Sequence, residues 1–462
     1  MRLCLVLLAA GCLVSAVSGQ WFEATIPVPQ TPQALCWNPA NNRVYCAVGY
    51  PDAFSAVITI DGDSNVVRDT IELGYDMPGG ILADAGAERV YCTGSSYYPL
   101  DDSLVTIIDA GADSIVAQVP VGEGPMALCF NASRSKLFCA AQLPGRVYVI
   151  DCAGDTVRAV LPVGSNPYDL CCVPELDRVF CANRGTYGRA DYTVTSIEAA
   201  RDSVRRNIEV GLFPRALCYS RTRGKVYCAN GWGASVSVLD AAGDSSLATV
   251  AVGGAPFALA WNPVTDRVYC ADGDNGRVSV IDGASNALLA TVTLPGPAWS
   301  LLVDSAANKV YASCFLNDAV AVIDGDADTV LVTIPVGSGP SAMCHSPATG
   351  RTYVGDEGGQ TVSVIRDTVP AGAGEAPTAE WRTTDVPTVV RGMLRLPTGH
   401  DPDSPGGLGS CPCLLDACGR RAMELVPGEN DVSHLAPGVY FVRPAPGGRR
   451  QSPGVRKVVI QR

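Results

Sequence analysis

The sequence predicts an all-β chain in which eight four-stranded blades, with seven as the alternative, stack into a β-propeller and are followed by a small Ig-like β-sandwich. Three observations carry this expectation. First, a strand-like phrase recurs eight times: Arg43-Val44-Tyr45-Cys46, Arg89-Val90-Tyr91-Cys92, Lys136-Leu137-Phe138-Cys139, Arg178-Val179-Phe180-Cys181, Lys225-Val226-Tyr227-Cys228, Arg267-Val268-Tyr269-Cys270, Lys309-Val310-Tyr311-Ala312 and Arg351-Thr352-Tyr353-Val354. From aromatic to aromatic the intervals are 46, 47, 42, 47, 42, 42 and 42 residues. That period matches one blade, which cannot bury both faces alone and must stack on its neighbours. Second, 48 Gly, 33 Pro and only 17% charged residues in a chain of 462 suit short strands joined by tight turns. Third, the repeat stops near residue 368 and a different β-like pattern occupies the last 78 residues, from Asp385 to Arg462.

Residues 1–19 open with Arg2, run apolar from Leu3 to Val14 and close with the small residues Ser15, Ala16, Ser18 and Gly19. This is the pattern of a secretory signal peptide, cleaved near Gly19. The apolar run falls well short of the ~20 residues that span a bilayer.

Residues 20–368 hold the repeats, and the sixth copy shows their grammar. Its runs are Ala248 to Gly253, Pro256 to Pro263, Arg267 to Cys270 and Val278 to Asp282. These are alternating or β-branched segments separated by Gly, Pro, Asn and Asp, which reads as four antiparallel strands. Asn262-Pro263 sets one turn through the fixed proline φ, and Asp282-Gly283 suits a hairpin that needs positive φ.

The cycle Val-x-Val-Ile-Asp, Thr-Ile-Pro-Val-Gly, Pro-x-Ala, Arg-Val-Tyr, as in Val278-Ser279-Val280-Ile281-Asp282, Pro256-Phe257-Ala258 and Arg267-Val268-Tyr269, resembles the YVTN family of β-propeller repeats over residues 21 to 368. The resemblance implies that Pro-x-Ala is the innermost strand of each blade, Arg-Val-Tyr the second, Val-x-Val-Ile-Asp the third and Thr-Ile-Pro-Val-Gly the outermost. It further implies that the N-terminal strand, Ala24 to Val28, pairs with Thr361 to Ile365 and closes the ring without an exposed sheet edge. Seven blades would follow if the second copy, Met77-Pro78-Gly79-Gly80-Ile81, were degenerate.

Residues 369–384 are rich in Ala, Gly, Pro and Thr and read as a linker. In residues 385–462, β-like runs at Val386 to Leu396, Cys413 to Leu415, Ala422 to Val426, Val439 to Val442 and Val455 to Ile460 suggest a small β-sandwich. The phrases Leu415 to Arg420, Leu435 to Arg443 and Arg456 to Ile460 resemble the C-terminal sorting domain of type IX secretion cargo. That resemblance implies a partner in the secretion machinery, and a protein secreted or held on the outer-membrane surface of a bacterium.

Formal net charge is −12, which argues against a nucleic-acid partner. A monomer is expected. Of 19 cysteines, Cys4 and Cys12 lie in the signal, leaving 17. Cys36 and Cys46, Cys129 and Cys139, Cys171 and Cys181, and Cys218 and Cys228 recur at equivalent places where other copies hold Ala260, Ala312 or Val354. Sites that accept Cys, Ala or Val are small buried apolar sites. The rival reading is a disulfide within a blade.

No nucleophile elbow, phosphate loop or clustered histidines can be read, so no catalytic residue, metal or cofactor is assigned and the protein is expected not to be an enzyme. The acidic loops Asp61 to Asn65 and Asp324 to Asp328 could suit Ca²⁺, but their Asp, Asn and Gly are needed as turn formers. The loops that follow the second strands differ between copies and carry Tyr50, Tyr97, Tyr98, Tyr187, Tyr192, Trp232 and Phe315. Exposed rings supply rigid contact area, which makes this face the expected binding surface for an extracellular protein, glycan or small ligand. Gln33, Met126, Tyr168, Arg215, Phe257 and Ser341 differ from blade to blade at the channel entrance. The alternative function is a propeller enzyme, either a lactonase-like hydrolase or a quinone-dependent oxidoreductase.

Overall fold

The computed structural model describes residues 19–50, 54–74, 77–95, 103–186 and 192–367, together with the backbone of seven short strands between residues 388 and 460. The chain divides into two compact units, Met1–Ala373 and Gly374–Arg462.

The first unit is an eight-bladed propeller of four-stranded antiparallel sheets. Blade 6 is representative, with strands Pro256–Asn262, Arg267–Asp272, Arg277–Asp282 and Leu288–Thr293 paired in that order from the channel outwards. The other innermost strands are Pro32–Asn38, Met77–Asp84, Glu123–Asn131, Pro167–Val173, Pro214–Ser220, Ala298–Asp304 and Pro340–Ser346. They pack side by side round the axis, and the eighth meets the first. In blade 8 the fourth strand is Gln20–Pro27, antiparallel to Thr361–Asp367 with Ala24 opposite Val364 and Ile26 opposite Val362.

The second copy forms a complete blade, so the count is eight. Its unusual glycines reflect close approach. A Cβ on Gly79 would lie 2.8 Å from the Pro125 carbonyl, and one on Gly80 would lie 2.8 Å from that of Met126. The Thr93 hydroxyl accepts hydrogen bonds from both glycine N–H groups, at 3.2 and 2.7 Å.

The recurring phrase is explained by packing between blades. Second strands are buried on both faces, so alternate residues meet opposite neighbours. The aromatic of each blade packs with the small residue of the next: Tyr45 with Cys92, Tyr91 with Cys139, Tyr227 with Cys270, Tyr269 with Ala312, Tyr311 with Val354, and Tyr353 with Cys46. Large against small fills the interior without voids. The fourteen described cysteines are free thiols, and burial raises most of those in the cores well above their ordinary pKa. A bridge between Cys36 and Cys46 is ruled out by register. Cys36 stands opposite Tyr45 and Leu35 opposite Cys46, which puts the two thiols on opposite faces of the sheet.

The cation that opens each phrase staples its blade to the following one. Arg43 reaches the Ala110 carbonyl and Asp113 at 2.9 and 2.7 Å, Lys136 reaches Ala199 and Asp202 at 2.7 and 2.6 Å, and Arg267 reaches Gly325 and Asp328 at 3.0 and 2.9 Å. Arg89 pairs with Asp155, Arg178 with Asp244, Lys225 with Asn286, and Lys309 with Asp367. At the seam Arg351 donates to the Gly62 and Asp63 carbonyls of blade 1 and pairs with Glu23 of the first strand at 2.7 Å. In blades 2 to 7 the receiving Asp or Asn also sits at the left-handed position of the turn between third and fourth strands. Asp113, Asp155, Asp202, Asp244, Asn286 and Asp328 all have φ between 49 and 61°, a conformation that Asn and Asp tolerate best among residues with a side chain. Lys309 instead meets Asp367 at the end of a third strand, and Asn65, at the same turn position in blade 1, accepts from the Tyr353 hydroxyl. Asp61 and Asp324 accept N–H groups from their own turns. The oxygens considered for Ca²⁺ are thus engaged in turns and staples, and among the described residues no three His, Cys, Asp or Glu group to hold a metal ion.

In the second unit the described strands form a five-stranded sheet, ordered Thr388–Val390, Arg456–Ile460, Gly438–Arg443, Cys413–Leu415, Arg421–Glu424, and a ribbon of Met393–Leu396 with Gly428–Asp431. The first pairing is parallel and the others are antiparallel. Residues 1–18, the linker 369–384 and the stretch 397–412 lie outside the described residues.

Candidate functional site: an aromatic and arginine arc at the channel mouth

Because Pro32 pairs with Val48 and Pro256 with Asp272, the start of each innermost strand and the loop after each second strand share one face of the ring. The staples occupy the opposite face. On the first face, blades 4 to 7 assemble a nearly continuous run of rings and guanidinium groups.

Trp232, half exposed at 50%, lies flat on Phe213 with centroids 4.1 Å apart and planes at 3°. The Arg184 guanidinium covers the other partner surface of this stack, 3.9 Å from the Phe213 centroid and 4.7 Å from that of Tyr168. Arg215 sits 3.3 Å from the Phe257 centroid and 5.5 Å from Tyr168. Phe257 stacks on Trp299 at 5.4 Å, and Trp299 on Phe315 at 3.8 Å and 7°. A cation over a ring face contributes about 0.5–2 kcal/mol according to desolvation, so these contacts hold the guanidinium groups in fixed planes.

The backbone makes room for the arc. A Cβ on Gly273 would lie 2.8 Å from the Phe257 ring, and one on Gly339 3.2 Å from that of Phe315. Phe213 itself has φ +63°. Three other blades use Gly124, Asn166 and Gly339 at the same left-handed position before the innermost proline. A bulky residue there is strained by about 1–2 kcal/mol, and strain of this kind collects at functional sites.

Beside the arc, a cavity of about 380 Å³ opens between the innermost strands of blades 1 to 5, lined by small residues with Met126, Tyr168, Asp169 and Arg215. Asp169 replaces the alanine found at Ala34, Ala127, Ala216, Ala258 and Ala342. Its carboxylate accepts the Leu170 N–H at 2.8 Å and the Leu217 N–H of blade 5 at 2.7 Å. Burial nevertheless pushes its pKa up to about 6, outweighing those two bonds. Burial also pulls Arg215 below its ordinary value, with Arg184 adding repulsion.

Of the channel residues expected from sequence, Met126, Tyr168 and Arg215 line the cavity and Phe257 carries Arg215. Gln33 instead donates to the Gly49 carbonyl at 3.3 Å, and the Ser341 carbonyl accepts from Ser313 at 3.3 Å. Of the loop residues, Trp232 and Phe315 join the arc. Tyr50, 61% exposed, stands apart on blade 1, and Tyr192 is half-buried. Tyr97, Tyr98 and Tyr187 lie outside the described residues. Arg184, Phe213, Trp299 and Asp169 escaped the sequence reading. Each departs from what the aligned copies hold, and that departure was the available signal.

These features define an eight-bladed β-propeller, and solved structures share the fold. The chain is similar to Saccharomyces cerevisiae Sqt1, with TM-score 0.63, 12% identity, and 76% of this chain and 99% of that one covered. It is similar to the C-terminal WD40 domain of Sif2, with TM-score 0.61, 11% identity, and coverage of 76% and 99%. A third likeness is to Kuenenia stuttgartiensis hydrazine synthase, with TM-score 0.50, 15% identity, and coverage of 74% and 97%. At such identities the likeness is one of fold. No family model and no curated protein matches the chain.

Proposed function

We propose that this is a non-enzymatic binding protein, exported from a bacterial cell and displayed or released outside it, that captures an extracellular protein, glycan or small ligand on the face carrying the arc. The observation that carries the reading is the stack from Trp232 through Phe213, Arg184 and Tyr168 to Arg215, Phe257, Trp299 and Phe315. Rigid rings and fixed guanidinium groups lose little entropy on binding, which is why such residues dominate recognition surfaces. A strained Phe213 supports a role beyond stability. Propellers are commonly used as scaffolds for binding proteins, with specificity residing in the site rather than the fold. The YVTN-like repeats, the signal-like residues 1–19 and the sorting-domain-like, Ig-like reading of residues 385–462 support export and an extracellular ligand.

The test is capture of glycans and proteins from an extracellular extract by the full chain, compared with Trp232→Ala and Phe315→Ala. Capture falls about tenfold or more if a hot spot is removed. Capture unchanged in both variants refutes the assignment of this face. For export, deletion of residues 385–462 is expected to leave the protein in the periplasm, and continued surface display would dismiss the sorting role.

A further inference from the structure

Building on the reading of this face as a binding surface, we propose that the channel mouth is a subsite for an acidic sugar, in which Arg215 takes the carboxylate and Asp169 takes hydroxyl groups.

The charge is the first argument. In a chain of net charge −12, two guanidinium groups gather at one ring, Arg184 4.7 Å and Arg215 5.5 Å from the Tyr168 centroid, and no ion pair among the described residues involves Arg215. Asp274 exerts only a minor pull on it, weaker than burial and the influence of Tyr168 and Arg184. Arg215 is held 3.3 Å from the Phe257 centroid, and its guanidinium carries five N–H donors in a rigid fork that suits bidentate carboxylate binding. An anion at this point would relieve both the repulsion and the cost of burial.

The second argument is the neighbour. Asp169 lines the same cavity, and each of its oxygens accepts one backbone N–H. A carboxylate has about four lone-pair sites, so acceptor capacity is left over for hydroxyl donors. Phosphate or sulfate would bring two negative charges beside Asp169, whereas a sugar acid brings one charge and several hydroxyl groups. The third argument is size. The cavity, about 380 Å³, is near the small end of ligand pockets, which run ~300–1,000 Å³.

The experiment titrates the full chain with D-glucuronate and a short galacturonate oligomer, by calorimetry or tryptophan fluorescence. D-glucose, acetate and inorganic phosphate serve as controls. The uronates are expected to bind at least about tenfold more tightly than any control, and Arg215→Gln is expected to weaken them by about 10–100-fold. Arg215→Lys should restore part of the loss. Asp169→Asn should weaken glucuronate while leaving acetate unchanged, which separates hydroxyl recognition from misfolding. Equal binding of glucose, acetate or phosphate overturns the proposal. So does unaltered uronate binding in a folded Arg215→Gln variant, or the absence of uronate binding at millimolar concentration. If Trp232→Ala abolishes capture from the extract while uronates do not bind, the subsite inference fails and the wider reading of the face stands.

Discussion

Replacing Asp169 by Asn removes a charge that the propeller holds in its channel at a cost. Burial moves the carboxyl from its ordinary 3.8 to about 6. Ionising it in the folded state at neutral pH therefore costs ~3 kcal/mol relative to the unfolded chain. The folded pKa is the higher one, so this stability is fully present below the unfolded value and is lost as pH rises from about 4 through about 6. Asn carries no charge but offers a single acceptor oxygen. One of the two N–H groups, of Leu170 or Leu217, then loses its partner at a cost of about 1 kcal/mol. The net expectation is a variant ~2 kcal/mol more stable than the parent near pH 7, with the advantage gone or slightly reversed near pH 4. Asp356, also pushed up to about 6 by burial, titrates in the same direction, but it is present in both proteins and cancels from the difference. Urea unfolding of parent and variant at the two pH values measures it. A variant less stable at neutral pH, or a difference that ignores pH, would refute the reasoning. A gain in stability at neutral pH would mark Asp169 as a residue kept for something other than the fold.

Arg351→Met should destabilise the propeller by about 3 kcal/mol, because it strips donors from the Gly62 and Asp63 carbonyls and leaves Glu23 with Arg366 alone. Burial by itself would raise Glu23, but Arg351 and Arg366 hold it below the usual carboxylate range. The depressed folded pKa means that the parent's advantage is present at neutral pH and shrinks in acid, which unfolding curves across that range would show. Phe213→Asn should leave stability within ~1 kcal/mol, as relief of backbone strain offsets the lost ring contacts, while ligand capture falls about tenfold. A thermal melt beside the capture assay checks both halves. The core thiols should resist labelling in the native protein and react together on unfolding, since burial raises Cys46, Cys139, Cys181 and Cys270 well above their ordinary pKa. Rapid labelling of most of them without denaturant would contradict the packing described.

The ring was legible because its determinants are periodic. Tyr45 and Cys92 are far apart in sequence yet occupy fixed places in successive copies, so the eightfold phrase reveals the stacking even without showing which residue meets which. What stayed hidden was direction across blades. Arg43 looks like a solvated cation until Ala110 and Asp113 of the next blade are placed beside it. The arc was half readable. Tyr168, Arg215, Phe257, Trp232 and Phe315 stand out as bulky or charged residues at variable positions, but their continuity depends on Arg184 and Phe213, which lie in connecting segments of different blades. Asp169 was overlooked although it breaks the Pro-x-Ala phrase. A side chain that departs from a repeat is visible only when the copies are aligned position by position.

The staples all run the same way, from the second strand of one blade to its successor, and between blades 1 and 7 they end in the turn that follows the third strand. A copy in blades 2 to 7 therefore holds a cation and a left-handed Asp or Asn that never serve each other. Each such copy is a link with one hook and one eye, and an internal segment of 42 residues repeated in register would carry both halves of its joint. Blade number in such a ring is set by how the innermost strands crowd round the axis, as Gly79 and Gly80 do against blade 3. The joints between blades 1 and 7 impose no count of their own, and only the seam, where Arg351 meets Glu23 of the first strand, marks where the ring ends.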